Sequence, residues 1–183
     1  MVTSEGLMTV TEFERIAEQE DDRRLELIHG EIVEKMPTEE HGVLVARLVA
    51  KLLGYVDDND LGRVAVEPRH RAPNDELNSR IPDLAFTSKD RALPLTKRGS
   101  VPLMPDLAVE VQSPGQSDKF LADKAAYYLA NGSRMVWLVY PSKKLVEVLT
   151  ADDRQLLIVG DTLSGGDVLP GFTLELAALF KDV

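Results

Sequence analysis

Two short stretches place carboxylates inside runs that are otherwise apolar: Ile81-Pro82-Asp83-Leu84-Ala85-Phe86 and Asp106-Leu107-Ala108-Val109-Glu110-Val111-Gln112-Ser113. Burying an ionised carboxylate without a partner costs several kcal/mol, so a strand that carries Asp or Glu among Leu, Ala, Val and Phe needs a compensating cation. A shared divalent metal ion is one such cation. Side chains alternate along a strand, which sets Glu110 and Gln112 on one face and Val109 and Val111 on the other. An inward Glu-x-Gln pair, with an aspartate after proline on another strand, therefore predicts a metal site. Cysteine is absent, so any metal is held by oxygen or imidazole ligands, and disulfides and thiol catalysis are excluded. Only His29, His41 and His70 are available and none forms a His-x-x-x-His pair, which argues against a histidine-rich zinc site. No P-loop, dinucleotide glycine motif or serine elbow is present.

The elements that must position these groups follow from periodicity. Thr11-Glu12-Phe13-Glu14 reads as a capping box opening a helix over 11–19. Residues 24–35 read as a β-hairpin turning at His29-Gly30, with Glu26, Glu31 and Glu34 on its strands. Val45, Leu48, Val49, Leu52 and Leu53 fall at helical intervals within 41–56. Strands are expected over 61–71, 80–87 and 106–112, with a loop over 88–104. A helix over 118–130 is stopped by Asn131-Gly132. Met135 to Tyr140 is almost wholly apolar, as befits a strand buried on both faces, and it places Trp137 in the core. Strands over 145–149 and 155–159 and a final segment over 169–176 complete an α/β layered domain with a mixed sheet. With 183 residues and 44% apolar content, the chain is expected to form one domain, 1–183, with a real core.

The formal charge of −10 opposes whole-surface binding of nucleic acid, because phosphate affinity rests on lysine and arginine. A local basic strip remains open to it, from Arg69, Arg71 and Arg80 before Asp83 and from Lys89, Arg91, Lys97 and Arg98 after it. No run approaches the roughly 18 apolar residues of a membrane span, and Met1 to Gly6 lacks the pattern of an export signal, so a cytoplasmic location is expected.

The order and spacing of several stretches add a resemblance. They are Leu25-Glu26-Leu27-Ile28-His29-Gly30-Glu31-Ile32-Val33-Glu34-Lys35-Met36-Pro37, Glu40-His41-Gly42, Ile81-Pro82-Asp83, Val109-Glu110-Val111-Gln112-Ser113-Pro114, Asp118 to Tyr128, Val136 to Pro141 and Leu169-Pro170-Gly171-Phe172. Together they resemble the PD-(D/E)XK nuclease superfamily, in particular its bacterial "putative restriction endonuclease" branch. The resemblance implies a restriction-endonuclease-like mixed sheet flanked by helices, here with an added N-terminal hairpin and C-terminal strands. It also implies a magnesium-dependent endonuclease acting on DNA, with manganese as an alternative metal and a homodimer as one way to cut both strands. Asp83 and Glu110 correspond to the metal ligands, and a third carboxylate would come from Glu26 or its rival Glu31. The superfamily's lysine, two residues after the acidic one, is here Gln112. Glutamine orients a water but carries no charge, so Lys124, on the helix after the strand and at i, i+4 with Tyr128, is the expected substitute. His41 is read as structural. Two rivals stand beside this expectation: a non-catalytic module that retains the fold, favoured by Gln112 and the acidic charge, and a hydrolase of another phosphorylated substrate.

Overall fold

A computed structural model describes residues 6–20 and 23–183. Its spine is a six-stranded sheet in the order β3-β4-β5-β6-β7-β8. The strands are β3 (Gly62–Val66), β4 (Leu84–Ser88), β5 (Leu107–Val111), β6 (Met135–Tyr140), β7 (Leu145–Leu149) and β8 (Arg154–Ile158). All neighbours pair antiparallel except β5 and β6, which run parallel because α3 (Asp118–Ala130) carries the chain back between them. The alternation on β5 decides what each face buries. Leu107, Val109 and Val111 pack under α2 (Glu39–Asp58), against Leu44, Leu48, Leu52 and Val56. Ala108 faces Leu121, Ala125 and Tyr128 of α3. β6, covered on both sides, is buried along its whole length, and Trp137 lies in the core as expected.

The N-terminal α1 (Val10–Gln19) and the hairpin of β1 (Leu25–Ile28) and β2 (Glu31–Glu34) form a smaller cluster around Phe13, Leu25 and Leu27. The hairpin turns at His29 and Gly30, both at positive φ (52° and 80°), as a two-residue primed turn requires. A Cβ on Gly30 would lie 2.8 Å from that of Leu7, so only glycine fits. β1 docks on the segment before β4 through reciprocal Leu27–Ser79 backbone hydrogen bonds of 2.8 and 2.9 Å. That docking brings the hairpin to the same end of the sheet as Asp83.

Several boundaries differ from the sequence expectation. The capping box is Thr9 with Glu12, two residues earlier than Thr11 with Glu14, because Val10 is needed on the buried face and so opens the helix. The strand expected over 61–71 stops at Val66, and Asp83 stands just before β4 rather than within it. The 169–176 segment divides into β10 (Thr173–Glu175), paired with β9 (Thr162–Ser164), and the short α4 (Leu176–Leu179).

Asp106, just before β5, is structural. Its fully buried carboxylate accepts from the Ser88 backbone N–H at 2.8 Å and from Arg91 at 2.7 Å, clamping β4 and the 88–104 loop to β5. Asp106→Ala is therefore expected to lower stability by about 2–3 kcal/mol in urea denaturation, by leaving those donors unpaired. Metal titration of the same variant should match wild type.

Candidate active site

Seven polar side chains converge at the end of the sheet where β5 finishes, and each arrives by a different local rule. Glu110 projects to the α3 face of β5, opposite Val109 and Val111. Asp83 follows Pro82, and the Leu84–Val109 pairing holds it across from the end of β5, where the Val111 N–H donates to its Oδ2 at 2.6 Å. On α3 the buried stripe Leu121, Lys124, Ala125 and Tyr128 has helical spacing, yet its second member is a lysine with 1% exposure. Glu26 points away from Leu25 and Leu27, and its Oε1 accepts from the Ile81 N–H at 2.7 Å. His41 sits in the first turn of α2, capped by Thr38, whose hydroxyl accepts from the His41 N–H at 3.3 Å. Lys35 follows β2.

The contacts among them form a continuous network. Lys124 Nζ lies 2.7 Å from Glu110 Oε1 and 3.0 Å from Glu26 Oε2. The Tyr128 hydroxyl donates to the same Glu110 Oε1 at 2.7 Å. Lys35 Nζ lies 2.5 Å from Asp83 Oδ1 and 3.9 Å from Glu110 Oε2, and it donates to the Ile81 carbonyl at 2.9 Å. His41 Nε2 lies 3.1 Å from Asp83 Oδ2, which makes that nitrogen the donor. A cleft of about 200 Å³, bordered by Thr38, His41 and Glu67, opens on Asp83.

Burial alone would raise both the Asp83 and the Glu110 carboxyl, but their surroundings separate them. Burial pushes Asp83 up, yet the Lys35 ammonium and the hydrogen bond from His41 outweigh it and hold the carboxyl below its ordinary range. Glu110 goes the other way. Its burial is the larger effect and raises it despite Lys124 and Lys35, with the charges of Asp83 and Glu26 adding to the rise. Burial lowers Lys35, but Glu110, Asp83 and Glu26 more than offset it, so the ammonium is held charged.

Of the residues singled out in the sequence, Asp83, Glu110, Lys124 and Glu26 come together, whereas Glu31 is exposed on the outer side of the hairpin. Gln112 does not join them. Its amide donates to the Gln116 carbonyl and to Asp118 Oδ1, each at 3.0 Å, bracing the turn between β5 and α3. Glu26 reaches the Asp83–Glu110 pair only through Lys124. Among the described residues no three carboxylates or imidazoles converge closely enough to enclose a metal ion. Two carboxylates nonetheless suit a hard cation that keeps several waters, and a positive charge already stands between Asp83 and Glu110. The donor chemistry therefore fits magnesium.

Lys35 and the contact of His41 with Asp83 were not expected. Lys35 carries no local signal, since it reads as the polar end of a hairpin strand. His41 had one, its place beside Glu40 before a helix, but the reading of an isolated histidine as structural overrode it.

Of the seven basic residues expected to form a strip, Lys97 and Arg98 are exposed, and the other five are engaged within the chain. Arg80 is buried over the Tyr127 ring at 4.6 Å, Arg69 stacks on Phe13 at 5.2 Å, and Arg91 is bound to Asp106. Lys89 pairs with Asp60 and Arg71 approaches Glu76 at 3.9 Å. These cationic groups lie on aromatic faces or in ion pairs, which a sequence count of charges cannot distinguish from a solvated row.

Comparison with known proteins places the fold. The family model "Uma2: Putative restriction endonuclease" matches residues 10–177. A solved structure titled as a "putative nuclease belonging to DUF820 from Anabaena variabilis ATCC 29413" superposes with a TM-score of 0.82 at 21% identity, covering 94% of this chain and 97% of its own. The two share a fold. Part of a DrdV–DNA complex covers 75% of this chain and 11% of its own, at 14% identity and a TM-score of 0.40, too loose a likeness to argue from. No curated protein matches the chain.

Proposed function

The chain belongs to the Uma2 family, described as "Putative restriction endonuclease", and from that premise and the buried cluster we propose that it is a magnesium-dependent endonuclease that hydrolyses DNA phosphodiester bonds. The observation that carries the reading is the gathering of Asp83 and Glu110, from two different strand ends, around one positive charge beside an open cleft. Asp83 and Glu110 would hold the metal. When bound there, a divalent cation supplies an activated water and neutralises charge on the phosphate oxygens.

The remaining side chains hold those two in place. Lys124 and the Tyr128 hydroxyl both engage Glu110 Oε1, which leaves Oε2 as the oxygen turned toward Asp83 and Lys35. Glu26 anchors Lys124 from behind, so it acts on Glu110 through that lysine rather than as a third ligand. His41 fixes the Oδ2 side of Asp83, together with the Val111 N–H. Gln112 holds the loop that leads from the acidic strand to the lysine-bearing helix, and its contribution is to the placement of Lys124. With five of the seven basic residues engaged within the chain, positive charge for phosphate docking would come from the metal centre together with the exposed Lys97 and Arg98.

Supercoiled plasmid incubated with protein and magnesium or manganese should be nicked, and chelator or Glu110→Gln should stop it. Nicking that persists in both would overturn the reading. A different observation favours a second reading. The carboxylates are already matched by internal ammonium groups and no lysine stands two residues after Glu110, as in a module that retains the fold without catalysis. Absence of both metal binding and nicking in wild type would select it.

A further inference from the structure

We propose that Lys35 is a built-in placeholder for the divalent cation: its ammonium occupies the space between Asp83 and Glu110 in the metal-free protein and leaves it when metal binds. The inference rests on the reading of this pair as a metal centre and adds to it a competitor within the chain.

Three observations carry it. The ammonium sits among the oxygens that a cation would use: it is bonded to the Ile81 carbonyl at 2.9 Å and to Asp83 at 2.5 Å, with Glu110 Oε2 at 3.9 Å. A monovalent and a divalent cation cannot share them, because like charges a few ångströms apart in a buried site repel strongly. The charge balance points the same way. Glu26, Asp83 and Glu110 against Lys35 and Lys124 leave one negative charge, His41 aside. A divalent cation in place of Lys35 brings the group to neutrality, whereas a divalent cation beside it leaves a buried excess of positive charge. Finally, only one of the two lysines has a way out. Lys124 is locked in α3 with 1% exposure, between two carboxylates. Lys35 lies on the irregular segment between β2 and α2, next to the exposed Met36, and Pro37 and Thr38 of that segment border the cleft over Asp83. Its four-carbon stem can swing the ammonium into that cleft with no change in the sheet.

The experiment is calorimetric titration of manganese and magnesium into the full chain at one fixed pH, comparing wild type with Lys35→Met, Lys35→Gln and Asp83→Asn. Both Lys35 variants should bind metal at least about tenfold more tightly than wild type. In chelator they should melt about 5 °C or more below wild type, since Asp83 then loses its ammonium partner while Glu110 stays bound to Lys124, and about 10 mM magnesium should recover that deficit. Lys35→Gln keeps a polar group against Ile81 and decides the matter if the methionine variant does not fold. Equal or weaker binding by the Lys35 variants, with wild type binding and Asp83→Asn not, would overturn the placeholder and leave the metal centre standing. No binding by wild type or by either Lys35 variant would overturn both.

Discussion

Asp83→Asn should reduce metal-dependent nicking by on the order of a thousandfold or more under single-turnover conditions, because it removes one of only two carboxylates placed to hold the cation. The same change is expected to cost about 3 kcal/mol in denaturant, since Lys35 would keep its charge while losing its nearest partner at 2.5 Å. The variant is thus both an activity and a stability mutant. Its activity has to be compared with wild type at a temperature where circular dichroism shows both folded. The pH dependence separates the two effects. A carboxyl held below its ordinary value contributes stability that is present above about pH 4 and is lost as pH falls through the folded value. Asparagine has no such contribution, so the stability gap between wild type and variant should narrow steadily below about pH 4. A gap constant from neutral to acid pH would mean that the Asp83–Lys35 contact is not formed in solution. Unimpaired cleavage would remove Asp83 from the site.

Lys124→Met should be the most damaging single change outside the apolar core. The ammonium bridges Glu26 and Glu110, so its removal leaves two buried carboxylates 98 and 14 residues away from it in sequence but adjacent in space. Breaking a buried pair in this way costs about 3–5 kcal/mol, or about 10 °C in melting temperature for a chain of this size. The sign of its pH dependence is opposite to that of Asp83. Glu110 is already raised by burial, and without Lys124 it rises further. A carboxyl with a raised folded value contributes stability that is fully present below about pH 4.3 and is lost as pH rises through the folded value. The variant should therefore approach wild type near pH 4 to 5 and fall away toward neutrality. Melting curves across that range test it. A variant as stable as wild type at neutral pH would show that Lys124 is a surface residue and that Glu26 has no function in the site.

Asp106 and Asp83 are not equivalent although both are buried aspartates flanking apolar strands. Asp106 is held by arginine and a backbone donor, whereas Asp83 shares its cation with a second carboxylate and borders a cleft. Nothing in the local sequence separates them. Both follow a proline, Pro82 in one case and Pro105 in the other, and both precede Leu-Ala.

Where a rule is local, the sequence by itself determined the outcome. Helix α3 over 118–130, β6 over 135–140 and β7 over 145–149 match their periodicities residue for residue, and His29-Gly30 makes the turn that its positive φ values require. The face assignments of Glu110 and Val109 follow from the pleat of a strand, and the inward position of Lys124 follows from its place on an apolar helical stripe. Contacts between distant segments were decided only by the tertiary structure. Glu26 rather than Glu31 turns inward because β1 docks on Ser79, which fixes the sense of the whole hairpin. Lys35 meets Asp83 across 48 residues because that docking carries the end of the hairpin to the end of β5. Gln112 leaves the cluster because the chain turns at Ser113 and offers its amide nearer partners in Gln116 and Asp118. Periodicity specifies which face a side chain occupies, but which charges meet across that face depends on how separate elements dock, and docking is set by the apolar surfaces they bury together.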